Sequence, residues 1–160
     1  LWAKQAWMPG YGEGANMAEL TPELEYVVPL RMSAARHVDE GGSFDAPPIE
    51  PFIPTIAFEF SFGNDPDRFG ASISVTAETN RGTFDVKVFG VFTASEHAAL
   101  TDEELDPVLR QALSLVFPFA RSEIADITGR VLGHTIMAPL IDVHSASINL
   151  DFRRRPKKSS

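Results

Sequence analysis

The sequence of 160 residues predicts one α+β domain, a four-stranded antiparallel sheet packed with a long kinked helix. Three observations support this class. Three consecutive segments alternate apolar and polar residues between turn sequences, a proline-rich stretch separates them from an earlier alternating segment, and apolar residues then recur at helical spacing. A chain of this length is expected to build one hydrophobic core.

The first predicted strand covers residues 26–37. Its alternating residues should share one buried face: Tyr26, Val28, Leu30, Met32 and Ala34. Pro29 lacks an amide donor, so the strand either lies at a sheet edge or begins just after this residue. Four prolines and several large apolar side chains then fill residues 43–54, which predicts a rigid crossover to the second strand. Those apolar side chains either cover the sheet or wall an apolar groove.

The next three strands each predict one apolar face. The residues on these faces are Ile56, Phe58, Phe60 and Phe62, then Phe69, Ala71, Ile73, Val75 and Ala77, then Phe84, Val86, Val88 and Phe92. Residues 63–66 and 80–82 have turn sequences, so the three strands should form a meander. The opposite face is polar except at Phe89 and Val91, which predicts a contact with another subunit or a ligand.

The predicted helix keeps one face apolar over several turns, at Leu109, Leu113, Val116, Ala120, Ile124, Ile127 and Val131. It begins either at a capping box formed by Thr101 and Glu104 or at the later pair Asp106-Pro107. Pro118 removes one backbone donor inside the helix and predicts a kink near residues 114–117. Gly133 marks the end.

Composition excludes several classes of function. There is no cysteine, so disulfides and thiolate chemistry are excluded. Residues 17–152 hold 8 basic and 21 acidic residues, a net charge of −13 that repels nucleic acid. The four histidines have no metal-ligand spacing, no nucleophile motif is present and no run is long enough to span a membrane. We therefore predict no enzymatic activity, cofactor, metal, nucleic-acid partner or membrane insertion.

Domain boundaries follow from the same composition. We expect residues 1–16 to be a disordered or non-native leader, residues 17–152 to form the single domain and residues 153–160 to be a disordered basic tail. The tail places five positive charges in the last eight residues.

The helix carries the most specific motif. Its stretch Leu-Val-Phe-Pro-Phe-Ala-Arg-Ser-Glu, from Leu115, resembles the Leu-Phe-Pro-Tyr-Ala-Arg-Glu hallmark of the SecB family of bacterial export chaperones. Residues 137–140, Met-Ala-Pro-Leu, are similar to the proline-containing run that follows the long helix in that family. The order of strands, crossover and helix is also similar, from Tyr26 to Ile148. The resemblance implies a cytoplasmic, ATP-independent holdase that binds unfolded polypeptides on apolar grooves and assembles as a dimer of dimers.

The resemblance also implies site residues. We place the client-binding groove at Phe44, Ile49, Phe52, Ile53, Phe58 and Phe60, and subunit contacts at Phe89, Val91, Phe117 and Phe119. The family docks the translocation motor SecA on an acidic sheet surface, for which the candidates here are Glu59, Glu78 and Asp85. The chain departs from the family at Lys87 and in its shortened C-terminal region. Both departures resemble the SecB-like chaperones of toxin–antitoxin systems, so the partner is either SecA or an antitoxin.

Two other functions remain open from the sequence. One is a small protein that binds an apolar ligand in a closed cavity between sheet and helix. The other is a structural oligomer whose apolar surface is consumed by subunit contacts. Without the resemblance, the residue pattern supports a soluble α+β domain that associates.

Overall fold

The computed structural model describes residues 20–38, 48–145, 150 and 152. The strands are β1 (Glu23–Arg36), β2 (Thr55–Phe62), β3 (Arg68–Thr79) and β4 (Gly82–Thr93), followed by a 3₁₀ turn (His97–Ala99) and helix α1 (Asp102–Leu132). All strand pairs are antiparallel, in the order β1-β4-β3-β2. This confirms the predicted class and the crossover between β1 and β2. Phe44 and the predicted leader and tail lie outside the described residues.

The core lies between α1 and one face of the sheet, which we call the inner face. Helix α1 lies across β1, β4 and β3, whereas β2 lies at its margin. The closest approach is at Gly90, where a Cβ atom would lie 2.6 Å from a methyl carbon of Val116. The helix residues buried here include six of the seven that were predicted: Leu109, Leu113, Val116, Ala120, Ile124 and Ile127. The predicted apolar face of the helix is therefore confirmed.

Both ends of α1 have defined caps. The Thr101 hydroxyl accepts the Glu104 amide, and the Thr101 amide donates to the Glu104 carboxylate at 2.8 Å. This confirms the capping box as the start. The bonds from the backbone and hydroxyl of Thr101 lower the pKa of Glu104 because they favour its charged form. Gly133 ends the helix with φ 67°, a conformation that favours glycine. The helix runs unbroken through Pro118, and the bend there stays a prediction.

After Gly133 the chain returns along α1. The Ile136 amide donates to the hydroxyl of buried Thr128 at 2.9 Å, and the Arg121 side chain donates to the Ala138 carbonyl at 3.1 Å. Farther along, the Arg110 guanidinium donates to two more carbonyls of this segment, at positions 143 and 145. Because these bonds join backbone groups of residues 136–145 to side chains of α1, the segment is held against the helix.

The predicted face of β1 is wrong in its first half. Tyr26, Val28 and Leu30 are exposed, with Tyr26 at 50%, while Met32 and Ala34 are partly buried as predicted. The cause is a register shift between Pro29 and Arg31, which moves the alternation by one residue. The alternative that places Pro29 in an edge strand is confirmed.

Candidate functional site

The inner face of β2 is the open part of the fold. Its alternating side chains point to the same side as the core but lie at the margin of α1, and they are half-buried rather than buried. We call the surface formed by Phe52, Phe58, Phe60 and Phe62 the β2 groove. Phe58 and Phe60 pair with Ile73 and Ala71 of β3, so the groove adjoins the core directly. The sequence prediction had named three of these four aromatic residues.

The crossover forms one end of the β2 groove. The side-chain amide of Asn80, in the turn between β3 and β4, donates to the Pro48 carbonyl at 3.0 Å and accepts the Glu50 amide at 3.1 Å. The Phe52 ring then packs edge-on against Phe84, with centroids 6.3 Å apart. Ile49 is also packed against the core, whereas Ile53 is 93% exposed. The structure therefore brings Ile49 and Phe52 onto the sheet and leaves Ile53 free on the surface.

Phe152 covers the other end of the β2 groove. Its ring lies 6.3 Å from the rings of both Phe60 and Phe62. Phe62 in turn stacks on Phe69, and Phe69 on Phe92 of the core. The sequence prediction missed Phe62 and Phe152. The signal for Phe152 was the pair of apolar residues Leu150 and Phe152 two positions apart, just before the basic tail.

An acidic cleft adjoins Phe152. This surface recess of about 500 Å³ is lined by Leu150, Phe152 and the carboxylates of Asp102, Glu103 and Asp106 at the start of α1. Acidic residues there are stabilised by the positive end of the helix dipole. The Asp106 carboxylate also pairs with Arg110 at 2.6 Å. The start of the helix therefore places a negative surface beside the aromatic end of the β2 groove.

The face of the sheet opposite α1, which we call the outer face, carries the predicted motor-docking residues. Glu59 pairs with Lys87, and Asp85 pairs with Arg31 at 2.7 Å. The hydrogen bond from Lys87, and then its charge, lower the pKa of Glu59. Glu78 is exposed at the far end of β3. Two of the three predicted acids are therefore neutralised by basic neighbours on this face.

The predicted subunit contacts fall into three different environments. Phe89 and Val91 are half-buried on the outer face, where the Phe89 ring crosses Gly70 so closely that a Cβ there would lie 2.3 Å from it. Phe117 is 6% exposed and packs in the core of its own chain, so its ring is not on the surface. Phe119 is 46% exposed on α1. Phe89, Val91 and Phe119 remain available as contacts.

Two further observations concern metal binding and membrane insertion. In the described part of the chain, no group of three or more histidine or acidic side chains is arranged to hold a metal ion. Within the same residues, no helix is long and apolar enough to cross a membrane.

A recess of about 520 Å³ opens between the start of α1 and the 3₁₀ turn. Its apolar lining includes Leu20, Leu100 and Val108, and its polar lining includes Glu96 and Glu104.

Comparison with known proteins shows the fold. No family model and no curated protein matches the chain. The solved structure of the Mycobacterium tuberculosis Rv1957 SecB-like chaperone, in complex with a ChAD peptide from the Rv1956 HigA1 antitoxin, matches with a TM-score of 0.55 and 20% identity, over 80% of this chain and 96% of that one. A protein of unknown function from Streptococcus agalactiae matches with a TM-score of 0.46 and 7% identity, over 76% and 98% of the two chains. The first of these matches shows that this sheet and helix have the SecB-like fold.

Proposed function

We propose that the protein is an ATP-independent holdase that binds non-native polypeptide in the β2 groove. The observation that carries the proposal is a row of half-buried phenylalanine side chains on a SecB-like sheet, beside the helix rather than under it. A surface of this kind offers unfolded chains apolar contact without requiring a particular sequence.

The edge position of β2 supports the same function. β2 pairs with β3 on one side and forms the edge of the sheet on the other. An edge strand presents backbone donors and acceptors to an extended peptide, which gains hydrogen bonds that do not depend on its side chains. The groove and the edge together recognise the two features that all unfolded polypeptides share, namely exposed apolar side chains and unpaired backbone groups.

The natural client that we favour is an antitoxin rather than a preprotein delivered to SecA. The neighbour with the same fold is in complex with an antitoxin peptide. On the outer face, Glu59 and Asp85 pair with Lys87 and Arg31, which leaves a balanced surface where motor docking would need free acids. We further propose a cytoplasmic homotetramer, a dimer of dimers, with subunit contacts through Phe89, Val91 and Phe119.

A matched pair of surface variants tests whether the client contact extends from the β2 groove onto the exposed crossover residue next to Phe52. Ile53→Ser removes an exposed apolar side chain beside Phe52, and Val38→Ser removes a similar side chain, 87% exposed, at the other end of the crossover. Neither change opens a cavity, so both variants should fold. Light scattering with a reduced, carboxymethylated and permanently unfolded protein should show a stable complex for the wild type and Val38→Ser, and about threefold to tenfold weaker binding for Ile53→Ser.

An aggregation assay tests the holdase activity itself. A stoichiometric amount of chaperone should suppress the aggregation of a denatured client, and a catalytic amount should not, because nothing drives turnover. Normal aggregation at a twofold excess of chaperone would disprove the proposed function.

The recess beside the start of α1 keeps one alternative function testable. A volume of about 520 Å³ is enough for a small ligand, and its lining includes Leu20, Leu100 and Val108. This recess opens at the surface and therefore differs from the closed cavity that the sequence predicted for a ligand-binding protein. Native mass spectrometry of the purified protein would reveal a bound small molecule, and the bare mass of the chain is the result that the holdase predicts.

A further inference from the structure

The end of the described chain lies at the junction of two surfaces. Leu150 is 9% exposed and Phe152 is half-buried, so both are anchored although they stand close to the C-terminus. Phe152 contacts the aromatic rings of Phe60 and Phe62, and it also lines the acidic cleft. Phe152 of the same chain therefore occupies part of the groove in which we place the client.

The residues that follow Phe152 carry charge opposite to that of the cleft. Residues 153–158 read Arg-Arg-Arg-Pro-Lys-Lys, with five positive charges and no negative one. A chain extends at most about 3.6 Å per residue, so the first of these side chains start within reach of any group that surrounds Phe152. The groups that line the cleft with it are the carboxylates of Asp102, Glu103 and Asp106.

We propose that residues 153–158 dock on the acidic cleft and hold Phe152 in the β2 groove, so that the C-terminus is a displaceable occupant of the client site. Single exposed ion pairs are weak, but here the Phe152 anchor keeps the basic residues at high local concentration beside the acids. The inference rests on the proposed function only in its last step, the competition with a client.

Cysteine cross-linking tests the docking directly, because the chain has no cysteine of its own. Pro156→Cys places a thiol in the tail, and Pro107→Cys places one on α1, one turn after Glu103. Neither change removes a charge from the tail or the cleft. The control pairs Pro156→Cys with Ser122→Cys, which lies fifteen residues farther along the same helix, a distance of about 20 Å. The full chain carries each pair, and disulfide formation is followed by mass and by mobility on a non-reducing gel.

We expect the Pro107 pair to form an intramolecular disulfide several times faster than the Ser122 pair at low salt. The advantage should fall in 0.5 M sodium chloride, which screens exposed charges. Equal rates for the two pairs, or a rate difference that salt does not change, would overturn the docking. A disulfide that forms between two chains instead would show that the occupant is a second copy, which also overturns the intramolecular proposal.

Replacement of Arg153, Arg154 and Arg155 by glutamine tests the competition. This variant should lose the cross-link advantage and bind the unfolded client about threefold to tenfold more tightly, since a site that its own tail occupies most of the time has a reduced apparent affinity. Unchanged affinity together with a lost cross-link would remove the competition. If no variant binds client, the holdase proposal fails while the cross-link still decides whether the tail docks.

Discussion

β1 and β2 are both edge strands of one sheet, yet the chain covers their inner faces in different ways. Helix α1 packs against β1, and the fourteen residues of that strand include two register shifts. β2 has eight residues, pairs with β3 residue for residue from Thr55 to Phe62, and lies at the margin of the helix. The crossover and Phe152 cover it instead.

Because of this difference, the contacts that stabilise the fold and the surface that can bind a partner lie in different parts of the sheet. The inner face of β1, at Leu24, Val27, Met32 and Ala34, is partly buried by a helix with its own caps, so its contacts persist as long as the domain is folded. The groups that cover β2 are short segments, and such segments open at lower free energy than a packed helix. The inner face of β2 can therefore be exposed to a partner without unfolding the core.

On the outer face, ion pairs also connect both edge strands to the rest of the sheet. Glu25 of β1 reaches across β4 to form two hydrogen bonds with Arg68 of β3, and Glu59 of β2 reaches across β3 to Lys87 of β4. Each edge strand is thus tied by an ion pair that passes over its neighbour. The two edges are alike on the outer face and differ on the inner one.

The largest expected effect comes from removing one phenylalanine ring that lies under α1 and comparing it with a ring of β2 at the margin of the helix. Phe92 of β4 is fully buried, so Phe92→Ala should lower the free energy of unfolding by about 3–5 kcal/mol. Phe60 is half-buried, so Phe60→Ala should cost about 1–2 kcal/mol. Urea unfolding measures both values.

Client binding should reverse that order. Phe60→Ala should weaken the complex with an unfolded client, because it removes part of the β2 groove. A milder variant of the core, Phe92→Leu, should leave binding near the wild-type value in the folded protein. If Phe60→Ala cost as much stability as Phe92→Ala, β2 would belong to the core and the comparison between the two edges would fail.

The next effect concerns the contact between α1 and the sheet. Gly90→Ala would place a Cβ atom 2.6 Å from Val116, so the helix or the strand must shift. We expect a loss of about 1–3 kcal/mol in the free energy of unfolding. Gly63→Ala is the matched control, since a Cβ there meets nothing within 4 Å. A loss of similar size in the control would assign the effect to the glycine backbone rather than to the helix contact.

The sequence predicted the strands, the meander of β2, β3 and β4, and the helix because their periodic patterns are long. The phase of β1 was wrong because a bulge at Pro29 leaves no mark on an alternating pattern, and exposed apolar residues such as Tyr26 and Leu30 read as buried ones. Local patterns report the type of an element, whereas a one-residue register shift depends on how two strands pair.

The candidate site was predicted in part for a similar reason. Phe58 and Phe60 lie two residues apart in one strand, and Phe52 lies in the crossover just before it. Their placement near one another therefore follows from the alternation of the strand and from their closeness in the sequence. Phe152 belongs to a short segment without periodicity, and its contact with β2 is long-range. Phe117 lies in the family-like motif, yet the pattern of the helix alone does not distinguish a core aromatic residue from a subunit contact.

The smallest expected effect is the response to acid of the ion pair between Glu59 of β2 and Lys87 of β4. The hydrogen bond and charge of Lys87 lower the pKa of Glu59, so the pair stabilises the folded state above the ordinary glutamate pKa of 4.5, and this contribution is lost as the pH falls through the lower folded value. The Glu59 side chain is 63% exposed, which limits the contribution to about 0.2–1 kcal/mol.

Urea midpoints between pH 7 and pH 3.5 should therefore fall less steeply for Glu59→Gln than for the wild type. Glu25, whose pKa is lowered mainly by its hydrogen bond to Arg68, should give a change in the same direction at the β1 edge. Identical slopes in all variants would mean that these ion pairs do not tie the edge strands to the sheet.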